Sequence, residues 1–164
     1  MTTHLESADV SSTKRIQIDR DVECHQASSD AALTAWAEAA LLDWPRPEPL
    51  DDALPCVSIR LVNGAESQAL NKQWRGLDRP TNVLSFPAEV PGFLGDIVLC
   101  VPVIESEARE QQKSSQAHWA HLVVHGVLHL RGHDHETDHA AAIMEQKEVA
   151  VLKQLGFPNP YSGQ

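Results

Sequence analysis

The stretch "HGVLHLRGHDH", residues 125–135, constrains the fold more than any other part of the sequence. It ends an apolar segment that begins with serine at residue 114, and this pattern predicts a helix stopped at Gly132. His125 and His129 are four residues apart, so their rings lie one turn apart on one helix face. Because glycine allows a sharp change of chain direction, a later histidine can return toward the first two. The stretch therefore predicts a helix–turn unit that gathers imidazoles.

Imidazoles in this arrangement are typical of a metal site. With His125 and His129, the third ligand is His135 or His133, and we favour His135 because it leaves the chain a longer return path. Three protein nitrogens leave a fourth position open, which is the arrangement of a catalytic zinc site and not of a closed structural one. Asp134, next to His135, can orient a ligand by accepting an imidazole N–H.

A further histidine, His121, lies four residues before His125 on the same predicted helix face. It can extend the site or contact a substrate, although a partly buried structural role is the favoured interpretation. The other histidines have weaker cases or are incidental: His118, His139, His4 and His25.

The glycine at position 126 bears on the type of reaction. Zinc peptidases with H-E-x-x-H use the glutamate to take a proton from a water molecule, and this chain has Gly126 at that point. Peptide hydrolysis also requires protonation of a poor amine leaving group. Phosphodiester cleavage depends mainly on charge neutralisation and alignment. The glycine therefore favours phosphoester chemistry over a peptidase.

A second unusual segment is "LNKQWRGLDRPTNVLSFPAE", residues 70–89. Arg75 and Arg79 bracket a predicted loop, with Lys72 close by. Arginine can hold a phosphate through two parallel hydrogen bonds and stabilise developing charge. From composition alone, solvated surface charges remain the favoured interpretation of these residues.

Hydrophobic patterning predicts an α+β fold, because strands come first and helices are concentrated in the second half. We expect a single domain with a four-stranded mixed sheet covered by about five helices, and the metal site on a C-terminal-half helix and the following turn. The third strand, "NVLSFPAE", is predicted to end at Pro87, and "VPG" to form an antiparallel hairpin. We predict a disordered tail over 1–13, the domain over 14–158 and a C-terminal tail over 159–164.

The net charge of −10 argues against a generally basic nucleic-acid binder. The acidity is uneven: residues 1–56 carry four basic and eleven acidic side chains, whereas residues 57–131 carry seven of each. The three widely spaced cysteines form no CxxC pair, which indicates reduced thiols and a cytoplasmic protein. With no long apolar run and no apolar N-terminal segment, neither membrane insertion nor secretion is expected.

Four motifs together resemble the YbeY family, the bacterial endoribonucleases and ribosomal RNA maturation factors: "HGVLHLRGHDH", "LNKQWRG", "PTNVLSFP" and "LGDIVLC". The resemblance covers about residues 55–156, and the family pattern H-G-x-L-H-L-x-G-x-D-H is matched at every fixed position. It implies one Zn²⁺ bound by His125, His129 and His135. It also implies that Arg75 is the family's functional arginine, lining a cleft beside the metal.

The resemblance implies a metal-dependent endoribonuclease for single-stranded RNA. Its expected roles are maturation of the 3′ end of small-subunit ribosomal RNA and ribosome quality control, with the small subunit or assembly factors as partners. Ser85 and Asn82 are candidate cleft residues; many family members have aspartate within T-D-V-L-S-F-P, where this chain has Asn82. The alternatives are a zinc metallopeptidase-like hydrolase and a non-enzymatic ribosome-assembly factor with a structural metal.

Overall fold

The computed structural model describes residues 15–20, 27–42 and 55–162. The predicted tail over 1–13 lies outside the described residues. The domain boundaries at residues 14 and 158 stay predictions.

Nine elements are formed by the described residues. The strands are β1 (Ile16–Arg20), β2 (Cys56–Val62), β3 (Val83–Val90) and β4 (Phe93–Cys100). The helices are α1 (Asp30–Leu42), α2 (Gly64–Arg75), α3 (Val101–Glu110), α4 (Ser115–Leu130) and α5 (Asp138–Gln154). The prediction of one α+β domain with a four-stranded sheet and about five helices is confirmed. None of these helices is long and apolar enough to cross a membrane.

The strands form one mixed sheet in the order β1-β2-β4-β3. β1, β2 and β4 are mutually parallel, and β3 runs antiparallel to β4 at the edge of the sheet. The predicted hairpin is present, with Val90 paired to Phe93 across it. The predicted strand end at Pro87 is wrong, because β3 continues to Val90 and Pro87 pairs with Gly95. An edge strand tolerates a proline, since one of its sides forms no ladder hydrogen bonds.

Helix α4 lies in the centre of the molecule, between α1, α5 and the β3–β4 side of the sheet. Trp119, Val123 and Val127 on this helix are fully buried. A helix that is apolar around most of its circumference is stable only inside a core. The burial of α4 therefore fixes the direction in which His121, His125 and His129 can project.

The ends of the helices that carry the site are set by local hydrogen bonds and by glycines. Ser114 caps α4, its side chain accepting the N–H of Ala117 at 3.0 Å. Gly132, predicted to end this helix, has φ +103, which only glycine adopts readily. At α2, Gly76 has φ +75, and its N–H donates to the carbonyl of Lys72. Arg75 is thereby the last residue of its helix.

Candidate active site

One cleft of about 640 Å³ opens between the end of α2, the start of β3 and the end of α4. It brings together residues from three distant parts of the chain. Seven of the predicted site residues line it: Arg75, Asn82, Ser85, His125, His129, Asp134 and His135.

Three imidazoles lie side by side at one end of this cleft. The ring centroids of His125 and His135 are 5.8 Å apart, those of His129 and His135 6.2 Å, and those of His125 and His129 6.3 Å. His133, the competing third ligand, is not one of the residues that line the cleft. As the side chains of the described residues stand, no group of three or more His, Cys, Asp or Glu is arranged to hold a metal ion. The donor types suit zinc, whose usual ligands include histidine nitrogens.

The electrostatics of the cleft favour neutral imidazole at one position. Burial lowers the pKa of His129, and the neighbouring His125 and His135 lower it further. Asp134 opposes this shift, whereas Arg75 adds to it. A neutral ring is the form that binds a metal. Arg75 lines the same cleft as the three histidines.

A buried carboxylate forms a hydrogen bond to one histidine of the cluster and holds its ring in place. Glu148 on α5 is fully buried, and its Oε2 accepts a hydrogen bond from His125 Nδ1 at 2.5 Å. Its Oε1 accepts from His121 Nε2 at 3.1 Å. Burial opposes ionisation of Glu148, but the hydrogen bonds from His121, His125 and Tyr161 outweigh it and lower the pKa to about 2. The carboxylate holds His125 so that its Nε2 is the nitrogen left for a ligand.

Tyr161 is a further hydrogen-bond partner of Glu148, and it lies in the segment predicted to be a C-terminal tail, residues 159–164. Its hydroxyl donates to Glu148, and its ring lies edge-on to His121 with centroids 5.4 Å apart. Burial and the bonded carboxylate both raise the pKa of Tyr161. His121 is thus occupied by Glu148 and Tyr161 and is not one of the cleft-lining residues. This agrees with the structural role favoured for it.

Arg75 is positioned by the loop that follows it. Ser67 on α2 both donates to the carbonyl of Thr81 at 3.0 Å and accepts its N–H at 2.9 Å. The buried Asn71 donates to the carbonyl of Arg79 at 2.8 Å. These bonds fasten residues 76–81 to the helix. The end of α2 and the start of β3 therefore form one rigid wall of the cleft.

Comparison with known proteins identifies the family. A family model described as endoribonuclease YbeY matches residues 18–156.

The chain belongs to the YbeY family.

Two relatives with the name endoribonuclease YbeY support this assignment. The protein of Methylococcus capsulatus is 52% identical over 136 residues, which cover 80% of this chain and 85% of the relative. The protein of Pseudomonas putida is 52% identical over 139 residues, covering 81% and 84%. The solution structure of a Thermotoga maritima protein aligns with a TM-score of 0.56 at 27% identity, covering 91% of this chain and 99% of that one. The predicted family and the predicted enzyme class, an endoribonuclease, are confirmed.

The departure from the YbeY pattern at Asn82 has a structural explanation. Its amide donates to Glu107 Oε1 at 3.0 Å, and the same oxygen bonds His118 Nε2 at 2.9 Å. Burial opposes ionisation of Glu107, but the bonds from His118 and Asn82 outweigh it, so its pKa is lowered. An aspartate at position 82 would face this carboxylate with a second negative charge. Asn82, a predicted cleft residue, does line the cleft, but its amide N–H is taken up by the hydrogen bond to Glu107.

The glycine in the YbeY histidine motif faces the sheet and not the cleft. A Cβ on Gly126 would lie 3.1 Å from two side-chain atoms of Ile97 on β4. Close packing of α4 on the sheet means that even a methyl group there would need Ile97 to shift, and a longer side chain has no room. A glutamate at this position of this fold would point into the core, away from the histidines.

Proposed function

We propose that this YbeY family member is a metal-dependent endoribonuclease that cleaves single-stranded RNA. The observation that carries the proposal is one cleft that joins three imidazoles to an exposed arginine from another element. Family membership supports RNA as the substrate. The geometry supports hydrolysis with charge neutralisation at a phosphate, since the imidazole cluster and the guanidinium of Arg75 line the same cleft.

In this proposal His125, His129 and His135 hold one divalent metal, with zinc as the expected ion. When bound, the metal supplies Lewis-acid chemistry at the scissile phosphate. Glu148 keeps the Nδ1 proton of His125 in place, so that Nε2 would be the nitrogen available to bind the metal. The low pKa of His129 keeps that ring neutral and available as a ligand.

Arg75 is the proposed catalytic residue of the chain itself. Its guanidinium can bind two phosphate oxygens at once and stabilise the extra charge that develops during cleavage. Because the bonds of Ser67 and Asn71 fasten the following loop to α2, the backbone that carries the arginine is fixed on the cleft wall. Ser85 and Asp134 line the same space, and we propose that they contact the RNA or its bound water.

The biological role follows from the family and stands as part of the proposal. We propose action on small-subunit ribosomal RNA, including its 3′ end, and in ribosome quality control in the cytoplasm. The net charge of −10 supports a partner such as the small subunit or an assembly factor, because a strongly acidic chain gains little from phosphate attraction alone. The free thiols of Cys56 and Cys100 are compatible with a reducing compartment.

The two alternatives fit the cleft less well. A peptidase of the H-E-x-x-H type needs a base at position 126, where the chain packs Gly126 on Ile97. A purely structural metal needs a fourth protein ligand; the candidates His133 and His121 do not line the cleft, and His121 is bonded to Glu148. The open cleft beside the three imidazoles favours a substrate in that position.

Replacing Arg75 by glutamate tests the proposed phosphate contact. We expect Arg75→Glu to keep its metal and to lose RNA cleavage by roughly 10²–10³-fold, as when one charge-stabilising donor is removed. The measurement is cleavage of a labelled single-stranded RNA alongside metal content. Arg79→Glu is the matched control, since it makes the same charge change four residues further on, in the loop after α2, at a residue that does not line the cleft. Equal losses in both variants would point to general electrostatics and contradict the phosphate contact.

Replacing Glu148 by glutamine tests the support of the metal site. The amide cannot accept both imidazole N–H groups, so we expect metal affinity to fall about 10- to 100-fold. Competition with a chelator measures it. Glu105→Gln is the matched control, because Glu105 is also buried and accepts from Trp119 at 2.7 Å, away from the cleft. Both variants should lose stability, but only Glu148→Gln should lose affinity; an unchanged affinity would show that Glu148 serves the core alone.

A further inference from the structure

An exposed indole stands at the mouth of the cleft beside the catalytic arginine. Trp74 precedes Arg75 on the last turn of α2, and its side chain is 62% exposed. Single exposed apolar side chains are common and need no explanation. Trp74 differs because it lines the cleft that holds the histidine cluster.

The ring is held in place on one side only. Trp74 and Phe86 meet with ring planes inclined at 65° and centroids 6.0 Å apart. A ring has two faces, and an inclined contact of this kind covers at most one of them. The contact limits the motion of the indole, so that the open face is presented at little entropic cost.

The charge of the chain explains why such a surface is useful. Basic proteins gain most of their RNA affinity from phosphates, and this chain has a net charge of −10. Stacking of a base on an aromatic ring depends little on net charge and is worth as much as a good hydrogen bond. Unpaired bases are free to stack in this way, whereas bases inside a duplex are not.

We propose that Trp74 is a stacking site for one unpaired base of single-stranded RNA, adjacent to the phosphate held by Arg75. This inference rests on the endoribonuclease function proposed above. The stacked base fixes the strand in the cleft next to the scissile phosphate. It also gives a physical reason for a single-strand preference, since a paired base cannot reach the ring.

Abasic scanning of the RNA tests the inference. A set of labelled, non-cleavable single-stranded oligonucleotides carries one abasic nucleotide at successive positions. For the wild-type protein we expect one position, or two adjacent ones, to weaken binding about 5- to 100-fold. Trp74→Ala should weaken binding of the intact oligonucleotide by a similar factor and should lose nothing more at the abasic position. Trp74→Phe, which retains an aromatic face, should recover most of the affinity.

The control variant is Leu42→Ala, which removes an equally exposed apolar side chain, 61%, on α1. It should bind and cleave as the wild type does. If Trp74→Ala binds and cleaves RNA normally, the stacking site is overturned while the nuclease function stands. The same conclusion follows if Trp74→Ala weakens binding but no abasic position matters to the wild type. If the metal-loaded wild type neither binds nor cleaves the RNA, both proposals fail.

Discussion

His129→Ala is expected to lose bound metal and to reduce RNA cleavage by roughly 10³-fold or more. His129 is one of the three rings of the imidazole cluster, with ring centroids 6.3 Å and 6.2 Å from those of His125 and His135. Lewis-acid stabilisation by a metal is worth several kcal/mol, and each 1.36 kcal/mol changes a rate tenfold. Metal content of the purified protein and cleavage of single-stranded RNA are measured on the same sample.

A matched control separates the cluster from a general effect of losing a histidine. His139→Ala removes an exposed ring at the start of α5 that does not line the cleft. This variant should keep its metal and its activity. Circular dichroism and thermal unfolding show whether His129→Ala remains folded. A folded His129→Ala protein with full metal content would place the metal elsewhere and contradict the assignment.

Gly126→Glu is expected to abolish stable folding. Even a Cβ at this position meets Ile97 at 3.1 Å, and a glutamate would add a carboxylate buried on the sheet without a partner. An uncompensated buried charge costs several kcal/mol, which approaches the whole stability of a small domain. Urea or thermal unfolding, together with soluble yield, measures the loss.

Two comparison variants make this result specific to position 126. Gly126→Ala gains up to about 1 kcal/mol in helix propensity but needs Ile97 to shift, so its net effect should be small beside that of glutamate. Ala142→Glu places the same carboxylate on the exposed face of α5 and should change stability by less than about 0.5 kcal/mol. A folded Gly126→Glu protein with peptidase activity would contradict the orientation of Gly126 toward the sheet.

The histidine cluster could be predicted because its signals are local. The four-residue spacing of His125 and His129 and the break at Gly132 are properties of one helix and its end. Local geometry alone brings the rings to one side. The strand continuing past Pro87 could not be predicted in the same way, because tolerance of a proline depends on β3 being an edge strand. Edge positions are set by the assembly of the whole sheet.

Glu148 was missed although the sequence holds a signal for it. It shares the buried face of α5 with Met144, Val151 and Leu152, so a charged residue stands at a core position of an amphipathic helix. Buried carboxylates are found almost only with partners. Its partner His125 lies 23 residues away. Which side chain forms a hydrogen bond with the buried carboxylate depends on how α4 and α5 pack. No local sequence pattern contains that information.

The buried carboxylate also ties the orientation of one cleft histidine to the packing of two helices. Glu148 on α5 bonds His121 and His125 on α4, and it accepts the hydroxyl of Tyr161 from beyond the end of α5. The ring of His125 is therefore held by a residue of a different helix and not by α4 alone. Substitutions in the α4–α5 interface, even far from the cleft, are expected to disturb the orientation of His125.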